Sequence, residues 1–127
     1  KKFKGNPKLN FRGKVDQKRI YEVFNQYDVL LLPTFYHGEG YPGVIIEAFH
    51  CGLPVIATNW RSIPELVDES CGILIEHRSS VAINNAIKKI YSNDQLFTNL
   101  QNGALKRSEL FKEDYWFDYF SEIIRKL

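Results

Sequence analysis

Glu39 and Glu47, with seven residues between them, are the two carboxylates best placed to do chemistry in this chain. They lie within GEGYPGVIIEAFHCGLPVIAT, residues 38–58, where three glycines and a proline crowd around the first of them. An ionised carboxylate offers two acceptor oxygens to paired donors. A glycine loop lets backbone amides come close to whatever is bound. Gly38, Gly40 and Gly43 supply that loop, and Pro42 fits either in it or at the first turn of a following helix, where its missing N–H costs nothing.

The elements that position these side chains follow from the flanking pattern. Residues 44–51 have no internal glycine or proline, and Gly52 followed by Pro54 is the signal that ends a helix. Val55-Ile56-Ala57 reads as a short buried strand, and the upstream run Val29-Leu30-Leu31-Leu32 as another. Strand, loop, helix and strand in this order form a βαβ unit. Ligands of such folds bind beyond the carboxyl ends of the strands, where the Glu39 loop falls.

The remaining chain extends the same alternation. Leu9-Asn10-Phe11-Arg12 alternates apolar and polar up to Gly13 and reads as a first strand, after a polar start with a Gly-Asn-Pro turn. Asp16 is an N-cap candidate for a helix to about residue 25 carrying Ile20, Val23 and Phe24. Thr58 to Ser62 makes a second loop, and a short helix follows through Pro64, Glu65, Leu66 and Val67. Gly72-Ile73-Leu74-Ile75 is the fourth strand. Ser79 or Ser80 caps a helix with Ala82, Ile83, Ala86, Ile87 and Ile90 at helical spacing. A helix over residues 94–110 is weakened by Gly103. The last, residues 112–126, is dense in aromatics: Trp116, Phe120, Ile123, Ile124 and Leu127 fall on one face and belong in a core, whereas Phe117 and Tyr119 lie off it and await a partner surface. The fold class is α/β, a partial Rossmann-like parallel sheet with flanking helices.

Composition excludes several classes. The 127 residues are one domain's worth, 44% hydrophobic and 25% charged, as in an ordinary soluble globular domain. A net charge of +2 does not suit nucleic acid, and the clustered Lys1, Lys2, Lys4 and Lys8 read as a solvated tail. No run approaches the ~20 apolar residues of a membrane span, and no signal segment opens the chain. A cytoplasmic protein is expected. Cys51 and Cys71 have neither C-x-x-C nor zinc spacing and read as small core residues; His37, His50 and His77 are scattered, so no metal is expected.

Four landmarks in order carry a resemblance: the strand ending Leu32-Pro33-Thr34; Glu39 and Glu47 with seven residues between; the block Glu47-Ala48 through Cys51-Gly52-Leu53-Pro54-Val55-Ile56-Ala57-Thr58; and Ile63-Pro64-Glu65-Leu66-Val67 followed by Gly72-Ile73-Leu74. The chain resembles the C-terminal, donor-binding half of a GT-B glycosyltransferase of the retaining family 4, glycosyl transferases group 1. The resemblance implies a retaining transfer of sugar from a nucleotide sugar to a hydroxyl acceptor, in polysaccharide or glycolipid synthesis, without a metal or other cofactor. Glu39 would take hydroxyls of the transferred sugar, the catalytic position, without acting as nucleophile. Glu47 would take the ribose hydroxyls. The backbone of Gly40, Tyr41, Pro42, Gly43 and Val44, with the positive end of the helix, would face the diphosphate.

Each assignment has a plainer competitor. Glu47 near a helix start favours the macrodipole, Glu65 likewise, and Glu39 can be a solvated turn residue. Thr34 and Thr58 end strands at the ligand edge, where threonine also serves local hydrogen bonding. Trp60-Arg61-Ser62 stands where many relatives carry Gly-Gly; this adds bulk and charge at the rim, and Arg61 becomes a candidate contact for an anionic substrate group.

The resemblance also implies an incomplete donor domain. The N-terminal acceptor domain, which would hold an acceptor glycan or lipid-linked sugar, and two further βα units are expected to be missing, so this chain alone is expected to be inactive. The longer protein could lie at the inner face of the membrane. In the family's strand order 3-2-1-4-5-6 the missing strands separate the 9–12 strand from Val29. Residues 29–33, 55–58 and 72–76 are then expected to form a contiguous parallel core, leaving a sheet edge that invites dimerisation. A non-catalytic nucleotide-binding or assembly subunit, and a GT-B epimerase or phosphorylase, are the alternatives.

Overall fold

A computed structural model describes residues 8–126 of the chain. The Gly-Asn-Pro turn, Leu127 and three of the four clustered lysines therefore lie outside the described residues. Three parallel strands, β1 (Leu30–Leu32), β2 (Val55–Thr58) and β3 (Gly72–Ile75), form one sheet in the order β1-β2-β3. Leu30 pairs with Val55, and Val55 with Gly72. The contiguous parallel core expected from sequence is thus present.

Strand alternation divides the side chains between two faces. Leu30, Leu32, Val55, Ala57 and Leu74 pack into a cluster with Phe24, Ile45, Phe49, Ile63 and Leu66. Ile56, Ile73 and Ile75 face the other way, toward Ala86, Ile90 and Leu100. On the first face lie α1 (Ile20–Phe24), α2 (Gly43–His50) and α3 (Ile63–Leu66); α4 (Ser80–Tyr91) covers the second. Helix α5 (Asp94–Ser108) serves both, through Ala104 on the first face and Leu100 on the second. β2 is central and buried on both sides, which is why its four residues are apolar or, for Thr58, internally hydrogen-bonded.

Caps are mostly where the residue types put them. Asp16 accepts from the Lys18 amide at the start of a 3-10 turn leading into α1, and Ser79 accepts from the Ala82 amide at the head of α4. Gly52, at φ 67°, ends α2, and the Leu53 amide donates back to the Ala48 carbonyl.

Three expectations are corrected. Residues 9–12 form no strand: Phe11 is 95% exposed, and Arg12 instead donates to the Gln26 side chain and lies over the Tyr27 ring. An alternating pattern makes a strand only where a sheet edge accepts its backbone, and none does so here. Second, α6 (Glu113–Lys126) buries none of its residues; Trp116, Phe120, Ile123 and Ile124 are all exposed. Its rings touch one another, and Trp116 donates to the Leu110 carbonyl. Periodicity shows which face is apolar, not what covers it. Third, Gly103 does not merely weaken α5. A Cβ there would stand 1.8 Å from the Ser70 carbonyl oxygen, so glycine is what lets α5 close on the turn before β3.

Candidate functional site

The loops after the three strands meet at the carboxyl edge of the sheet. From the end of β2 and the loop after it, Thr58 Oγ1 donates to the Thr34 carbonyl at 2.5 Å, Trp60 Nε1 to the Tyr36 carbonyl at 2.9 Å, and Ser62 Oγ to the Gly40 carbonyl at 2.5 Å. Alternate residues of one loop thus fasten the backbone of the other. Thr34 Oγ1 in turn donates to Glu39 Oε2 at 2.7 Å, and the Glu39 amide closes a turn on the Tyr36 carbonyl. Glu39 is half-buried and held, unlike a solvated turn residue.

Pro42 is the N-cap of α2, and no side chain caps that helix. Among the described residues the N–H groups of Gly40, Tyr41, Gly43 and Val44 find no acceptor. They are orphan donors at the positive end of a helix. Neither Gly40 nor Gly43 has positive φ, and a Cβ on either would meet nothing within 4 Å. Their backbone conformation does not demand glycine; what they leave is open space above the amides.

Glu47 falls in the second turn of α2, so no acidic residue occupies the first. This corrects the expectation that placed it at the helix start, and removes the macrodipole reading. Its half-buried carboxylate takes no hydrogen bond and no ion pair among the described residues. Burial holds the Cys51 thiol above its ordinary pKa, and the nearby Glu47 charge adds to the effect. Burial likewise raises Cys71. Both cysteines are therefore poor thiolates. Thr34 and Thr58 serve local bonds, and Glu65 is exposed in the first turn of α3.

Sequence reasoning missed two features. Trp60 and Ser62 are not just bulk at the rim; they are fasteners. His37 and His77 are not scattered, since both contact the Phe35 ring, at 5.7 Å and 4.3 Å between centroids. The signal was positional: Trp60 and His77 each stand two residues past the end of a strand. A separate apolar cleft of about 320 Å³ opens between the segment before β1, strand β2, α4 and α5, lined by Val29, Ile56, Ile87 and Phe97 among others and by no residue of the Glu39 loop.

The sequence pattern described as glycosyl transferases group 1 matches residues 1–93. The chain belongs to this family. A curated relative, the chitobiosyldiphosphodolichol beta-mannosyltransferase of Candida albicans, is 28% identical over 127 aligned residues, covering 91% of this chain and 28% of that enzyme. The capsular polysaccharide biosynthesis glycosyltransferase CapM of Staphylococcus aureus is 32% identical over 87 residues, covering 68% and 22%. The chain therefore spans less than a third of the length of these curated relatives. Anabaena HepE, solved with UDP and glucose, superposes with a TM-score of 0.79 at 23% identity over 96% of this chain and 33% of that one, and shows the shared fold. Among the described residues no helix is long and apolar enough to cross a membrane.

Proposed function

We propose that this chain is the greater part of the donor-binding domain of a retaining glycosyltransferase, holding a nucleotide sugar at the carboxyl edge of its sheet. The observation that carries the reading is the set of four unpaired amides, at Gly40, Tyr41, Gly43 and Val44, between Glu39 and Glu47. The amides and the positive end of α2 receive the diphosphate. Glu39, oriented by Thr34, accepts from hydroxyls of the transferred sugar, and Glu47 from the vicinal hydroxyls of the ribose.

In the transfer, the acceptor oxygen bonds to the anomeric carbon on the face the diphosphate leaves, and the carbon–diphosphate bond breaks. The acceptor proton passes to the departing phosphate oxygen. Negative charge grows on the diphosphate, and fixed amides stabilise it more in the transition state than in the ground state. No metal enters this scheme. The acceptor, a glycan or lipid-linked sugar as the names of the relatives suggest, needs a further domain of a longer protein to complete its site, and this chain alone binds donor without turning it over. The longer protein works in the cytoplasm or at the inner face of a membrane, in polysaccharide or glycolipid synthesis.

Calorimetry of the chain with UDP-, GDP- and ADP-sugars, with and without a chelator, tests the assignment. One nucleotide should bind irrespective of chelator, and Glu47→Ala should weaken it by about 2 kcal/mol, roughly thirtyfold in Kd. Binding indifferent to that substitution would overturn the ribose assignment.

A further inference from the structure

A second constellation stands beside the Glu39 loop. Trp60-Arg61 and His77-Arg78 occupy equivalent places, two and three residues past the ends of β2 and β3. Phe35 comes from the loop after β1 to lie between them. Its ring centre is 4.1 Å from that of Trp60 and 4.3 Å from that of His77, with which it is parallel to within 4°. The Arg78 guanidinium sits 4.3 Å from the Phe35 ring centre, and that of Arg61 5.3 Å from the Trp60 ring.

Cations over aromatic faces are held by the ring quadrupole, which leaves their N–H donors free at the edge. Both arginines are exposed, and neither forms an ion pair among the described residues. Glu76, beside His77, is exposed and joins neither. The backbone singles out the same two residues. Among the described residues Arg61 and Arg78 are the non-glycine positions with positive φ, at 53° and 58°. A left-handed backbone is disfavoured for any residue with a Cβ and free for glycine. The chain thus carries strain at the two places where it mounts a cation on a ring, and strain kept in this way points to a functional constraint.

We propose that Arg61 and Arg78, on the Phe35–Trp60–His77 platform, form an oxyanion site for a phosphate or diphosphate ester group of the acceptor. The guanidinium fork matches phosphate oxygens, and two cations match the charge of a diphosphate better than that of a single carboxylate. The inference rests on reading the carboxyl edge as the substrate edge. Because the Gly40–Val44 amides already serve the donor, this second site belongs to the other substrate.

The test uses the chain with Trp116→Phe, which leaves Trp60 as the single tryptophan. Inorganic pyrophosphate should change Trp60 fluorescence saturably at millimolar concentration, and sodium glucuronate should not. Arg61→Gly with Arg78→Gly relieves both left-handed positions, so the thermal midpoint should hold or rise while pyrophosphate affinity falls about tenfold or more. A response undiminished in that double variant, an equal response to glucuronate, or no saturable response in the parent would each overturn the proposal. Nucleotide-sugar titrations separate the two readings. Donor binding without the pyrophosphate response sinks the oxyanion site alone. A pyrophosphate response that depends on the arginines, with no nucleotide sugar bound, supports the oxyanion site and sinks the donor reading.

Discussion

The Thr34 hydroxyl gives its one proton to Glu39, and its carbonyl receives that of Thr58. Glu39 thereby keeps one carboxylate oxygen fixed and the other open. Thr34→Val removes the fixing bond at constant shape. Donor affinity should fall by about 1 kcal/mol, some fivefold, with the thermal midpoint little changed; calorimetry showing equal affinity would make the bond incidental. The spacing of Glu39 and Glu47 and their glycine loop were legible in sequence because they sit within one short segment. The platform of Phe35, Trp60 and His77 was not, because three loops distant in the chain contribute one ring each. Nothing in a linear pattern says which loops lie side by side until the strand order is known.

Elements read well where one neighbour decides them. Helix α4 announced itself through Ser79 and an apolar stripe, and β2 through its apolar run after Gly52 and Pro54. Reading failed where the deciding partner is remote: the 9–12 segment pairs with neither edge of the sheet, and α6 leaves its apolar face exposed among the described residues. Gly103 shows the converse, a residue that looked like a propensity defect but makes a close contact. Gly103→Ala gains helix propensity of up to about 1 kcal/mol yet drives a methyl into the Ser70 carbonyl. Overpacking against backbone should win, with a net loss of about 2 kcal/mol or more in denaturant unfolding. A stabilised variant would mean that α5 can retreat from the turn without cost.

For the whole molecule, the turn 68–71 is where α3, β3 and α5 are joined. Arg107 of α5 donates to the Glu65 and Leu66 carbonyls at the end of α3 and to Asp68 at 3.3 Å. Hydrogen bonding from Ser70, then the charge of Arg107, holds the Asp68 carboxyl below its usual pKa against some desolvation. A lowered native pKa contributes stability that is present above the unfolded value of about 3.9 and is lost as pH falls through the native one. Stability should therefore decline below about pH 4 partly through this group, and Asp68→Asn should flatten that limb in acid titrations followed by circular dichroism. An unchanged limb would place the acid sensitivity elsewhere.

The fastening of the two loops is one-sided. Thr58, Trp60 and Ser62 supply side chains, but what they grip at Thr34, Tyr36 and Gly40 is main-chain oxygen, which every residue type carries. The gripped loop can exchange its side chains and stay in place, while the gripping loop cannot. Under the proposed donor reading, redesign of sugar preference has a natural division of labour: libraries belong at positions such as Tyr36, His37 and Tyr41, with Thr58, Trp60 and Ser62 left as the constant frame.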